Sequence, residues 1–203
     1  MHLLDQRLLG GGILVLLGTL VIVKRVATGS ILDKPRGGPL VQIVNIFNLF
    51  FLLVLNPLIA VALLARRLPR IDPTHIAVTA PLVVVVELLG LVMYAAGFAL
   101  MAWALLTLAG NYQLGGSAPR SEDTLIVGGP YRAIRHPMYT AALSICLGLA
   151  ALIQSWAVAC AFVIYLVLIL LLIPVEQDGL RQAYGEQYVS YQRGTRALIP
   201  FIY

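Results

Sequence analysis

Long apolar blocks, each closed by a short polar stretch, set the pattern of this chain. Leu8–Val23 is the first, and Lys24 and Arg25 lengthen it by reaching toward the interface. The polar loop Ala27–Pro39 leads to a second block, Leu40–Ala65, where Asn56-Pro57 predicts a kink. After the basic loop Arg66–Asp72 comes a third run, Ile76–Ala109, of 34 residues. At about 1.5 Å per residue it would reach roughly 50 Å, against ~30 Å for a hydrocarbon core, so it must tilt, bend or project. Gly110–Met138 is the longest polar connection. The next run, Thr140–Pro174, is again too long for one span, and Gln154-Ser155-Trp156 near its middle predicts a turn between two short helices, Thr140–Ile153 and Trp156–Ile173. In the polar tail Val175–Tyr203, residues Leu180, Tyr184, Tyr188 and Tyr191 recur at helical spacing and predict one amphipathic helix lying at the interface.

Composition narrows the class. The chain has 203 residues, 60% hydrophobic and 11% charged, with mean hydropathy +0.92; a soluble domain carries roughly 25% charged residues. The expectation is an all-α integral membrane protein of one domain, 1–203, with five transmembrane helices, the last two a hairpin. Residues 1–109 supply three spans and 110–203 the catalytic region. Lys24 and Arg25 follow the first block where a signal peptidase needs small residues, so that block reads as a retained span. The net charge of +5 sits at the ends of apolar runs, which points to orientation and anionic headgroups rather than nucleic acid. The hairpin returns the chain to its starting side, so the long polar loop and the tail share a compartment. If that is the cytoplasm, Lys24, Arg25, Lys34, Arg36, Arg120, Arg132, Arg135, Arg181, Arg193 and Arg196 are inside, against Arg7, Arg66, Arg67 and Arg70 outside, ten to four. Cys146 and Cys160 lie inside apolar segments, away from any disulfide framework.

The richest chemistry is in Gly129-Pro130-Tyr131-Arg132-Ala133-Ile134-Arg135-His136-Pro137-Met138-Tyr139. Polar groups are costly at a membrane edge and are often functional there. Gly128-Gly129-Pro130 permits a tight turn, and Pro137 suits a first helical turn. The amides of that helix start favour an anion, and Tyr131 and Tyr139 offer faces to a ring or a cation. Glu176 and Asp178 return carboxylates to the same side. Together these could hold a zwitterion with a carboxylate, a cation and an aromatic base, the three parts of S-adenosylmethionine. The alternative is that Arg132 and Arg135 bind lipid phosphate while His136-Pro137 caps a helix. His2, His75 and His136 are too scattered for a metal centre. No Walker loop or dinucleotide fingerprint is present. Glu87, alone in the third span, reads as a hydrogen-bonded packing residue rather than a proton or ion site.

The segment Gly129–Tyr139 resembles the GPYxxxRHPxY signature of the isoprenylcysteine carboxyl methyltransferase family, which is related to the phospholipid N-methyltransferases. The similarity extends to Asp123-Thr124-Leu125-Ile126 upstream, to the turn Ile153-Gln154-Ser155-Trp156, and to Glu176 with Tyr184-Gly185, Tyr188, Tyr191 and Leu198-Ile199-Pro200. It covers about the last 95 residues of the chain. It implies a cytoplasmic S-adenosylmethionine pocket, formed by the loop before the hairpin and the tail, with a lateral opening to lipid. By the same resemblance Thr124, Leu125, Ile126, Tyr131, Arg135, His136, Pro137, Met138, Tyr139 and Glu176 would bind the cofactor. Glu176 would also be the catalytic base where one is needed. The chain departs from the family pattern in three places: Gln177 stands where a second glutamate is common, Asp123 replaces a histidine, and Leu172 replaces a substrate-binding arginine. Arg181, one helical turn past Glu176, is the candidate to take that substrate role.

The resulting expectation is methyl transfer from S-adenosylmethionine to an O, S or N nucleophile on a lipophilic acceptor, with membrane lipids as surroundings and neither metal nor nucleic acid as partner. The rival readings are an NADPH-dependent membrane reductase of the sterol reductase type and a non-enzymatic lipid-binding membrane protein.

Overall fold

The computed structural model describes residues 5–32, 37–76, 78–112 and 123–199; Lys34, Arg36, Arg120, His2 and Pro200 lie outside them. Among the described residues the regular structure is entirely helical. Asp5 caps the first helix, its carboxylate accepting from the backbone N–H groups of Arg7 and Leu8, and α1 runs Gln6–Thr28 to a left-handed Gly29. Next come α2 (Pro39–Phe50), a π-helical turn (Phe51–Leu55) and α3 (Asn56–Leu64), which form one apolar rod. The expected interruption at Asn56-Pro57 is this π turn. Proline offers no N–H, the ladder widens before it, and Asn56 Nδ2 donates to the Phe51 carbonyl at 2.8 Å. The Tyr94 hydroxyl donates to Asn56 Oδ1 at 2.7 Å and ties the turn to the next span.

A short α4 (Leu68–Ile71) precedes α5 (Ala80–Leu108), then α6 (Pro137–Ile153), α7 (Trp156–Tyr184) and α8 (Glu186–Gly194). Four helical rods, Gln6–Thr28, Pro39–Leu64, Leu82–Asn111 and Trp156–Tyr184, are long and apolar enough to cross a membrane; Pro137–Ile153 is apolar but shorter. The turn falls where the sequence places it: Gln154 is left-handed at φ 51° and the Ser155 hydroxyl caps α7 by accepting from Val158 N–H.

The C-terminal part departs from expectation. The last span does not stop at Ile173. It runs through Pro174 to Tyr184, because a proline inside an apolar spanning helix is tolerated when its neighbours satisfy the freed carbonyl. The tail is therefore not one amphipathic helix. It breaks at Gly185, at φ 53°, between the end of α7 and α8.

The helices α5 and α6 form the most extensive pair. They meet at small residues: a Cβ on Gly148 would lie 2.6 Å from the Tyr94 backbone nitrogen, and one on Gly97 would lie 2.9 Å from the Ala141 carbonyl. At one end of the molecule Arg66 pairs with Asp5 at 3.3 Å, and the segment before α5 is strapped to the α6–α7 turn by Trp156 N–H to the Thr74 carbonyl, 2.9 Å. There too Gln154 Nε2 donates to Glu87 Oε1 at 3.2 Å, so the buried Glu87 is held by a hydrogen bond across the helix packing. The opposite end carries the arginine-rich segment.

Candidate functional site

Residues 129–139 are fixed from two directions. Gly129 begins a 3-10 turn (Gly129–Arg132) at φ 56° and sits so close to α5 that a Cβ would lie 2.6 Å from Thr107 Oγ1. The segment after α8 runs beside the motif as a short parallel bridge: Arg135 N–H donates to the Arg196 carbonyl at 2.7 Å and His136 N–H to the Ala197 carbonyl at 3.0 Å. Thr140 Oγ1 donates to the Leu198 carbonyl at 2.6 Å, and the Tyr191 hydroxyl donates to the Tyr131 carbonyl at 2.6 Å. The Arg135 guanidinium donates to the carbonyls of Gln192, at 3.0 Å, and of Thr195. Arg135 thus closes the C-terminal segment over the motif rather than reaching outward.

The helix α7 brings Glu176 to this segment. Twenty residues from Trp156 cover roughly 30 Å, about the thickness of a hydrocarbon core, so Glu176 lies at the far end of α7 from the Gln154 turn. The Tyr139 hydroxyl donates to Glu176 Oε2 at 2.6 Å, and His136 Nδ1 lies 3.8 Å from the same oxygen. The imidazole stacks on the Tyr139 ring, centroids 5.5 Å apart. His136 is only 5% exposed, and burial lowers its pKa; Arg135 acts in the same sense and Glu176 against it. The ring is neutral at ordinary pH. Gln177, also buried, lies against the other ring nitrogen, its Nε2 3.3 Å from His136 Nε2.

These groups open onto a cavity of about 280 Å³. Thr124, Leu125, Ile126, Tyr131, Arg135, His136, Met138, Tyr139 and Glu176 all line it. Pro137 does not; it is buried as the first residue of α6. Arg181 does not either, since its guanidinium is turned to Asp178 Oδ1 at 2.8 Å and to Gln192. Leu172 is fully buried in the core with Tyr139 and Tyr165. Leu180, Tyr184, Tyr188 and Tyr191, expected to face the interface, line the cavity instead. Arg135 Nε and the Tyr188 hydroxyl are buried polar atoms with no well-formed hydrogen bond among the described residues. Desolvation pushes the Tyr188 phenol up to about 12, which keeps it a donor.

The sequence reading left out the cavity's other half. Leu17, Leu20 and Val21 of α1, Leu49 of α2 and Leu52 and Leu53 of the π turn make its apolar lining. Asn45, Asn48 and Tyr165 place polar groups among them, with the Tyr165 hydroxyl donating to Asn48 Oδ1. Lys24 lies over the Tyr112 ring, 5.1 Å from its centroid, at the mouth. The paired asparagines in an otherwise apolar block were the available signal.

The family profile described as phospholipid methyltransferase matches residues 85–187, just over half of the chain. No curated protein matches the sequence. Among solved structures the fold is similar to that of a eukaryotic intramembrane Ras methyltransferase, isoprenylcysteine carboxyl methyltransferase. The TM-score is 0.53 at 18% identity, over 80% of this chain and 74% of the other.

Proposed function

This chain belongs to the phospholipid methyltransferase family and is a membrane methyltransferase, and we propose that it methylates an O, S or N nucleophile on a lipophilic acceptor, using S-adenosylmethionine. The observation that carries this reading is the cavity. Its polar lining gathers His136, Glu176, Tyr131 and Arg135, and its apolar lining comes from Leu17, Leu20, Leu49 and Leu52 on the helices long enough to span. The polar lining suits the cofactor. Arg135 and the Tyr188 hydroxyl are buried neighbours, and neither Arg135 Nε nor that hydroxyl makes a well-formed hydrogen bond among the described residues; a carboxylate there would accept from both. Aromatic faces at Tyr131, Tyr139 and Tyr184 suit a base and a sulfonium.

Bound in this way, S-adenosylmethionine supplies an electrophilic methyl group. The residues of the chain then bind and align. Strapping by the segment 195–198 and by α8 excludes water, which strengthens every electrostatic contact inside. Holding the acceptor's nucleophile in line gives most of the acceleration. Glu176, fixed by the Tyr139 hydroxyl, takes a proton from an acceptor that carries one. We place the site on the cytoplasmic face, because Lys24, Arg25, Arg132, Arg135, Arg181, Arg193 and Arg196 share its end of the molecule.

The test is isothermal titration of the detergent-purified protein with S-adenosylhomocysteine, beside His136→Ala. The wild type is expected to bind and the variant to lose binding. A folded wild type that does not bind would overturn the cofactor assignment.

A further inference from the structure

Arg181 lies outside the cavity, yet a chain of hydrogen bonds runs from it to His136 inside. An arginine has donors and no acceptor. Its Nε and Nη2 lie 3.1 and 3.0 Å from one atom of the Gln192 amide, which must therefore be the oxygen. Asp178 Oδ1, accepting from Nη1 at 2.8 Å, holds the guanidinium in that pose. With its oxygen committed, Gln192 presents its amide nitrogen to Gln177 at 2.9 Å, and the facing atom of Gln177 must be Oε1. Gln177 is then committed as well. Its Nε2 donates to His136 Nε2, 3.3 Å away, so that ring nitrogen carries the lone pair. The proton of the neutral ring sits on Nδ1, which faces Glu176 Oε2 at 3.8 Å.

We propose that Arg181, Gln192 and Gln177 form a polarity relay that holds His136 as its Nδ1–H tautomer and so presents an N–H to Glu176. Arg181 is in this view a positioning residue, acting through two amides, rather than a substrate contact. The proposal rests on the reading of His136 and Glu176 as the reaction centre. The groups around the ring agree with it: Glu176 and Gln177 come from α7, Tyr139 stacks from α6, and Arg135 adjoins in the chain. In the other tautomer the Nδ1 lone pair would face a carboxylate oxygen, and the two would repel. The amide at 177 makes this polarity possible. A glutamate there would accept on both oxygens and draw the ring proton to Nε2.

The experiment is nitrogen and carbon NMR of the full-length protein in detergent with labelled histidine. The chain has 3 histidines, and His136→Gln assigns the signal. The wild type is expected to show Nδ1–H as the major form. Gln192→Glu still accepts from Arg181 but has no donor for Gln177; the 177 amide should turn and Nε2–H become the major form. Arg181→Met, which frees Gln192, is the second variant should Gln192→Glu fail to fold, and it should weaken the preference to the part that Glu176 supplies, while Arg181→Lys should keep it whole. A wild type in the Nε2–H form, or an Nδ1–H form indifferent to both variants, would overturn the relay. Titration of the same samples with S-adenosylhomocysteine separates the two ideas: a tautomer that switches as expected in a protein without cofactor affinity would leave the relay standing and remove the cofactor reading.

Discussion

His136 shows how one residue's burial becomes a property of the whole protein. Its ring is held neutral first by desolvation, with Arg135 adding to the effect and Glu176 opposing it. In the unfolded chain the same ring takes a proton near 6.5. Between that value and the lower folded one, the unfolded state binds more protons. Stability is therefore full above 6.5, is lost as pH falls through it, and stops declining below the folded value. The thermal midpoint of the purified protein should drop between about pH 7 and about pH 5, and drop less in His136→Gln, which has nothing to protonate. Equal slopes in the two proteins would contradict the burial argument. The residue itself was legible in the sequence because the eleven residues around it are contiguous and polar against an apolar background. The partner on its other nitrogen was not, since Gln177 departs from the pattern that would have marked it.

At the scale of elements, the chain's blocks forecast the helices well and their ends poorly. The turn at Gln154-Ser155 was legible because polar residues cost free energy at the middle of an apolar run. The extension of α7 to Tyr184 was not, because Pro174 is a helix breaker in water and tolerated among packed apolar helices. The periodic face Leu180, Tyr184, Tyr188 and Tyr191 was found as a pattern, but periodicity says only that a face is covered. The covering partner is the cavity, across a break at Gly185. The α5–α6 contact gives a test at this scale. A side chain on Gly148 would meet the Tyr94 backbone at 2.6 Å, and backbone in a packed helix pair has little room to yield. Gly148→Val should cost about 2–3 kcal/mol, read as a lower thermal midpoint. Gly12→Ala in α1, where a Cβ meets nothing within 4 Å, should be neutral or slightly stabilising. A Gly148 variant as stable as wild type would mean that the two helices are held elsewhere.

The molecule as a whole has two ends of unlike charge, and the difference predicts how it sits in a membrane. The cavity joins the end of α1, the end of α2, the end of α5 and the last turns of α7, so an N-terminal half without motifs builds half of its lining. That contribution is tertiary: Leu17, Asn48 and Tyr112 come together only when the rods assemble, and single polar residues far apart in sequence leave no spacing to read. Charge, in contrast, is legible in the sequence as well as in the fold. Arg7, Arg66, Arg67 and Arg70 lie at the end away from the cavity, and the remaining described basic residues lie at the cavity end. Retention of basic loops on the cytoplasmic side then supports the proposed orientation, cavity end inward. The native cysteines do not obstruct a test, since Cys146 is buried and Cys160 can be replaced by alanine. In that background, cysteines at Arg70 and Arg193 report the two ends, both positions being exposed. A membrane-impermeant maleimide added to sealed right-side-out vesicles should label the cysteine at 70 and leave the one at 193 unmodified until the vesicles are opened. The reverse pattern would put the cavity mouth outside, where cytoplasmic S-adenosylmethionine could not reach it, and the cofactor and the orientation would have to be abandoned together.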